Sequence, residues 1–162
     1  MTSVADTTNA PVRKTISVKA SVERAFTVFT TGFDSWWPRS HKLTQADLDV
    51  AIVEGKVGGR CYQRAVDGSE CDWGKVTAWE PPRRIVVAWQ LDAQWQYDPD
   101  LTHASEVEVT FTAEDGGTRV VLEHRHFERH GASGSQVQAG VGSEGGWGSL
   151  LNLFRARAEK QN

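Results

Sequence analysis

Residues 60–91 read RCYQRAVDGSECDWGKVTAWEPPRRIVVAWQL and carry the plainest signal of the fold class. Side chains in this stretch alternate with the period of two that is typical of β-strands. Two turn signals, Asp67-Gly68 and Pro81-Pro82, interrupt the alternation. We therefore predict three consecutive antiparallel strands, near Arg60–Val66, Glu70–Glu80 and Arg84–Leu91.

Similar patterns add strands on both sides of this stretch. Upstream, Val12–Ala20 and Leu48–Val53 show the same period of two. Downstream, Glu106–Thr112 alternates cleanly, and the turn Asp115-Gly116-Gly117 leads into Thr118–Phe127. Short turns between consecutive strands favour a meander over βαβ units, so we predict a curved antiparallel sheet of about six to seven strands.

Two short helices are predicted after the first strand. Ser21 is a favourable N-cap, and apolar side chains follow it at helical spacing in Val22–Phe29. The second helix is predicted at Phe33–Trp37, where Pro38 would end it.

The C-terminal region is predicted to form a longer helix. Its apolar side chains fall on one stripe, which consists of Trp147, Leu150, Leu151, Phe154 and Ala158. Such a stripe must be buried, and the concave face of the sheet is the available surface, which gives an α+β fold. The preceding segment, Gly131–Gly142, is rich in Gly, Ser and Gln and is predicted to be a loop.

Length and composition limit the remaining choices. The chain has 162 residues, so we expect a disordered tail at residues 1–10 and one ligand-binding domain at residues 11–162. A net charge of −3 without a Lys/Arg cluster argues against nucleic acid as a partner. No apolar run reaches the length of a membrane span and no signal peptide is recognisable, so a cytoplasmic location is expected. A homodimer remains open.

Four stretches, in this order and spacing, resemble a known family: VGGRCYQRAVDG (57–68), GKVTAWEPPRRIVVAW (74–89), GGTRVVLEHRHFERHG (116–131) and EGGWGSLLNLF (144–154). The family comprises proteins similar to the C-terminal domain of the heat-shock-protein-90 ATPase activator. It belongs to the START-like, polyketide-cyclase-like (SRPBCC) superfamily. The resemblance implies a helix-grip fold, in which the C-terminal helix lies across a sheet that encloses a cavity.

Seven tryptophans are many for a chain of this size, and they indicate either core packing or an aromatic pocket. Trp36, Trp37, Trp89 and Trp147 are the best pocket candidates, whereas Trp73, Trp79 and Trp95 lie in or beside predicted turns and loops and are not expected in the pocket. In the implied fold, we predict that the ligand is contacted by Phe33, Trp36, Trp37, Tyr62, Trp89, Val107, Val109, His124, His126, Trp147 and Leu151.

Two polar motifs allow a functional and a structural interpretation. His124 and His126 share a face of a strand, so they could contact a ligand or, with His130, bind zinc. We predict no metal, with His124 in the core and His126 at a strand end. The string Gly140–Gly145 matches G-x-G-x-x-G but lacks a preceding strand, so we predict no cofactor. We predict instead a flexible hinge that leads into the C-terminal helix, with Ser143 as the cap of that helix.

Three functions remain in competition. The first is a non-enzymatic carrier or sensor that binds a small hydrophobic molecule in the cavity. The second is an enzyme of the cyclase or aromatase kind, with His124 as a weak candidate for the acid or base. The third, implied by the family resemblance, is a protein-interaction module that acts with a chaperone in the stress response.

Overall fold

A computed structural model describes residues 10–143 and 145–160 of the chain. Its central element is a curved sheet of seven strands, each antiparallel to its neighbours, in the spatial order β1-β7-β6-β5-β4-β3-β2. The strands are β1 (Val12–Val18), β2 (Leu48–Val53), β3 (Arg60–Ala65), β4 (Glu70–Glu80), β5 (Arg84–Trp89), β6 (Ser105–Glu114) and β7 (Gly117–Arg125).

The predicted α+β meander is confirmed, because β2 to β7 pair in chain order and β1 closes the sheet beside β7. Three α-helices accompany the sheet: α1 (Val22–Phe29), α2 (Gly134–Val141) and α3 (Trp147–Glu159). Short 3₁₀ segments lie at Phe33–Ser35, Leu101–His103 and Phe127–Ser133. The predicted disordered tail lies outside the described residues except for Ala10. None of the helices in the described part is long and apolar enough to cross a membrane.

The core lies between the concave face of the sheet and helices α1 and α3. Phe29 of α1 packs against Phe154 of α3, with ring centroids 5.1 Å apart, and against Phe111 of β6 at 5.8 Å. Ser21 caps α1 as predicted, since its Oγ accepts from the backbone N–H of Arg24 at 3.1 Å. The Arg24 guanidinium in turn donates to the carbonyl of Ala158 at 2.7 Å, which satisfies an otherwise unpaired group at the end of α3.

Three local predictions need correction. Gly131–Gly142 is not a loop, because Gly134–Val141 forms α2. Val137 and Val141 are four residues apart on one helix face, and both are buried, so tertiary packing overrides the unfavourable composition. Ser143 does not cap α3, since its Oγ donates to the carbonyl of Gly140 at 2.6 Å and Gly146 occupies the N-cap position. The second helix is a single 3₁₀ turn, Phe33–Ser35.

Candidate functional site

A cavity of about 520 Å³ lies between the sheet and the start of α3. Strands β3, β4 and β5 form its floor, and the first turn of α3 forms one side. Its mouth is bordered by residues 40–43, residues 95–96, and residues 140–143 and 145–146. The volume lies within the range of about 300–1,000 Å³ that is usual for small-molecule sites.

Five of the seven tryptophans line this cavity, and we call them the indole wall: Trp37, Trp73, Trp89, Trp95 and Trp147. Trp89 is the centre of the wall. Its ring centroid lies 5.7 Å from that of Trp73, 5.8 Å from that of Trp147 and 6.3 Å from that of Trp95. Trp37 extends the wall beyond Trp73, with its ring nearly parallel to that of Trp73. The wall is therefore one continuous aromatic surface.

A β-bulge brings Trp73 into the wall. Cys61 pairs with Gly74 and Tyr62 pairs with Asp72, so Trp73 is the extra residue of the longer strand. With strict alternation, Trp73 and Gly74 would point to opposite faces of the sheet, and Trp73 would lie on the outer face. The bulge instead lets the ring face the cavity, where it is 5% exposed.

Trp95 occupies an unusual backbone conformation at the cavity mouth. Its φ is 62°, in the left-handed region that bulky residues rarely adopt. The surrounding loop maintains this conformation, because Asp92 Oδ1 accepts from the backbone N–H groups of Gln94 and Gln96, each at 2.9 Å. The ring is 48% exposed and lies beside Gly140 of α2. Strain of this kind is often found at ligand-binding positions.

On the opposite side of the mouth, the side chain of Gln63 anchors the segment that contains His41 and Leu43. The side chain is buried, and its Nε2 donates to the carbonyl of His41 at 2.9 Å while its Oε1 accepts from the backbone N–H of Leu43 at 2.8 Å. His41 Nε2 lies 3.2 Å from the carbonyl oxygen of Gly145, which joins the two borders of the mouth. A buried glutamine in a strand is thus accounted for by the loop that it anchors.

Polar groups in the cavity are few. Among the described residues that line it, Lys42 is the only lysine or arginine, and none carries a carboxylate. Lys42 Nζ lies 3.4 Å from Asp47 Oδ1. The indole nitrogens of Trp73 and Trp89 are buried without a hydrogen-bond partner. An unpaired buried donor costs about 1–3 kcal/mol, and both nitrogens are covered by protein atoms, so a ligand in the cavity would reach either N–H group only if the ring moved.

His124 lies behind the indole wall and does not line the cavity. It is 0% exposed, and both ring nitrogens have protein partners. Trp147 Nε1 donates to His124 Nδ1 at 3.1 Å, and His124 Nε2 lies 2.8 Å from Ser105 Oγ. Burial lowers the pKa of His124 well below its usual value, and His130 lowers it further. The imidazole is therefore neutral near pH 7.

The other predicted contact residues fall into three groups. Trp37, Trp89 and Trp147 line the cavity. A second void of about 20 Å³, too small for a ligand, is lined by Trp147 together with Phe33, Val107 and Val109. The remaining side chains line neither space: Trp36 and Leu151 lie in the core, Tyr62 packs beneath the Arg60 guanidinium, and His126 lies after the end of β7.

His126 does not share the environment of His124. Its backbone adopts φ 67°, which turns the side chain out of the strand, and its Nδ1 lies 3.4 Å from Glu128 Oε2. Within residues 10–143 and 145–160, no three His, Cys, Asp or Glu side chains form a group that could hold a metal ion.

The seven-stranded curved sheet and the C-terminal helix define a START-like helix-grip protein. A family model described as "Activator of Hsp90 ATPase homolog 1-like protein" matches residues 19–159. The chain therefore belongs to this family, as the sequence resemblance predicted. No curated protein matches the chain.

Several solved structures are similar to the whole chain. One is an anthrahydroquino-γ-pyrone synthase, Txn09, complexed with SUM, with 40% identity, TM-score 0.64, and coverage of 90% of this chain and 95% of that chain. Another is the self-sacrificing resistance protein CalC from Micromonospora echinospora, with 32% identity, TM-score 0.68, and coverage of 93% and 95%. The Aha1 dimer from Colwellia psychrerythraea shares the fold at 19% identity and TM-score 0.62, with coverage of 93% and 96%.

Proposed function

We propose that the protein binds a small, flat and largely apolar molecule in the cavity under α3, as a carrier or sensor rather than as an enzyme. The indole wall is the observation that carries this proposal. Five large aromatic rings around about 520 Å³ provide apolar area for burial and faces on which a planar ligand can stack.

The chemistry of the wall favours a ring system that carries oxygen acceptors. Indole faces are electron-rich, so they stack well on electron-poor rings such as quinones. The ammonium group of Lys42, which belongs to the cavity lining, would favour carbonyl or phenol oxygens on the ligand. The 40% identity with an anthrahydroquino-γ-pyrone synthase supports the same class, because that protein's name refers to a fused aromatic ring system.

Danthron, a flat hydroxyquinone of three fused rings, is a suitable probe. We expect it to bind with one-to-one stoichiometry and to quench most of the tryptophan fluorescence, because five of the seven tryptophans lie at the cavity. Fluorescence titration and isothermal titration calorimetry measure this directly. Failure of danthron and of related flat ring systems to bind would contradict the proposal.

Loss of a single ring of the wall tests where the probe binds. We expect Trp73→Leu to weaken danthron binding about tenfold, because an aromatic contact contributes about 0.5–1.5 kcal/mol beyond its buried area. Trp79→Leu is the matched control, since Trp79 packs on Phe26 and does not line the cavity. Equal affinities of these two variants would place the probe elsewhere.

A second candidate is an enzyme that closes a ring in an aromatic polyketide. The observation in its favour is that the 40% identical relative is a synthase. Incubation with a linear aromatic polyketide, followed by liquid chromatography and mass spectrometry, distinguishes the two functions. A new product that is absent with Trp73→Leu would favour the enzyme, and recovery of the unchanged polyketide would favour the carrier or sensor.

A further inference from the structure

We propose that His124 and Ser105 are positioning residues that hold the indole of Trp147 in the cavity wall, and that His130 makes this support dependent on pH. The inference rests on the proposed ligand-binding function. Four side chains form a continuous row, which we call the histidine chain: Trp147, His124, Ser105 and His130. The successive contacts measure 3.1 Å, 2.8 Å and 2.7 Å.

The direction of each hydrogen bond follows from the first donor. An indole nitrogen can only donate, so His124 Nδ1 must be the acceptor and carry no proton. The proton of the neutral imidazole then lies on Nε2, which donates to Ser105 Oγ. The single hydroxyl proton of Ser105 is left to donate to His130 Nε2. Each of the three contacts then has one donor and one acceptor, and the Ser105 proton has an acceptor only while His130 is neutral.

The position of the chain connects the cavity to the protein surface. Trp147 is both the first residue of α3 and part of the cavity wall. His124 and Ser105 are buried, whereas His130 is partly exposed in the 3₁₀ segment Phe127–Ser133. His130 is therefore the group in the chain that solvent can reach.

Protonation of His130 would reverse the outer hydrogen bond. His130 Nε2 would become a donor to Ser105 Oγ, which already accepts from His124, and the serine proton would lose its acceptor. Burial lowers the pKa of His130, an effect that Asp92 and Asp98 oppose and His103 reinforces. His124 faces it across Ser105, and α2 contributes no titratable side chain. Because the pKa of folded His130 lies below its usual value of about 6.5, disruption is expected only as the pH falls below about 6.5.

The chain itself can be tested without any ligand. Nitrogen-15 NMR distinguishes the two neutral tautomers of histidine, and we expect the Nε2–H form for His124 and the Nδ1–H form for His130. The indole N–H of Trp147 should exchange slowly with solvent. The opposite tautomer at His124, or a doubly protonated His124 near neutral pH, would overturn the proposal whether or not danthron binds.

Its effect on the cavity can be tested by the pH dependence of danthron binding. We expect the affinity of the wild-type protein to fall about threefold to tenfold as the pH decreases from about 7 to well below about 6.5, since the buried hydroxyl proton of Ser105 then has no acceptor. His130→Gln keeps an acceptor for Ser105 but cannot titrate, so its affinity should remain constant over this range. His126→Gln is the control, because His126 lies outside both the histidine chain and the cavity, and it should retain the wild-type profile.

A conservative replacement separates positioning from simple packing. His124→Asn places its Oδ1 where Nδ1 accepts from Trp147, whereas His124→Leu offers no acceptor. We expect danthron binding to weaken about tenfold in His124→Leu and clearly less in His124→Asn, with folding checked by circular dichroism. Equal weakening, or a pH profile of His130→Gln that matches the wild type, would overturn the proposal. Absence of danthron binding in the wild type would instead count against the proposed function.

Discussion

Replacement of Phe154 by alanine is expected to lower the free energy of unfolding by about 3–5 kcal/mol. The ring is 0% exposed and lies where α3, α1 and the 3₁₀ turn after α1 meet. Its centroid is 5.1 Å from that of Phe29 and 5.7 Å from that of Trp36. Truncation leaves a cavity, because the surrounding structure relaxes only partially into the space that the ring vacates. Urea denaturation followed by circular dichroism measures the loss.

The neighbouring residue of α3 provides the control for Phe154→Ala. Leu153 is 42% exposed and lies outside the buried stripe of the helix, so Leu153→Ala should change the free energy of unfolding by no more than about 0.5 kcal/mol. Both variants change helix propensity in the same direction. Similar losses for the two would mean that α3 does not bury Phe154 against the core.

The second large effect is expected from Gly146→Ala. A Cβ at Gly146 would lie 2.1 Å from the carbonyl oxygen of Val141, so the start of α3 would have to move. Overpacking against backbone costs about 1–3 kcal/mol or more. Because Trp147 follows immediately, we also expect danthron to bind about tenfold more weakly, since the ring leaves its place beside Trp89.

Gly145→Ala is the matched control for Gly146→Ala. A Cβ there would meet nothing within 4 Å, although both glycines line the cavity. Thermal unfolding and danthron titration of the two variants should therefore differ clearly. If Gly146→Ala behaved like Gly145→Ala in both measurements, the close approach of Val141 to the start of α3 would be refuted.

The strand pattern could be predicted because alternation of side chains is a local property. In β6, for example, the sequence places Val107, Val109 and Phe111 on one face, and all three are buried against the core. The apolar stripe of α3 is equally local, and its prediction of helix-on-sheet packing holds. Helix α2 could not be predicted from such local patterns. Its sequence is rich in Gly, Ser and Gln, and the segment is helical only because tertiary contacts bury its two valines.

Three members of the indole wall, Trp37, Trp89 and Trp147, were predicted, and two were missed. Trp73 faces the cavity because of a bulge, and the position of a bulge depends on the pairing of two strands. Trp95 belongs to a polar loop in which Asp92 maintains a left-handed conformation that the residue types do not suggest. Gln63 was missed for a related reason, since its partners lie about 20 residues away in the chain.

The family resemblance, over roughly residues 12–158, was sufficient to predict the helix-grip fold, because the motifs that carry it are local in the sequence. The expectation of a cavity came from the same resemblance. The role of each polar side chain depended on tertiary structure. His124 illustrates the difference. Its strand parity correctly predicts that it points inward, but whether it meets a ligand or the back of Trp147 depends on where α3 begins over the sheet. That position results from packing between distant segments, which sequence spacing does not encode.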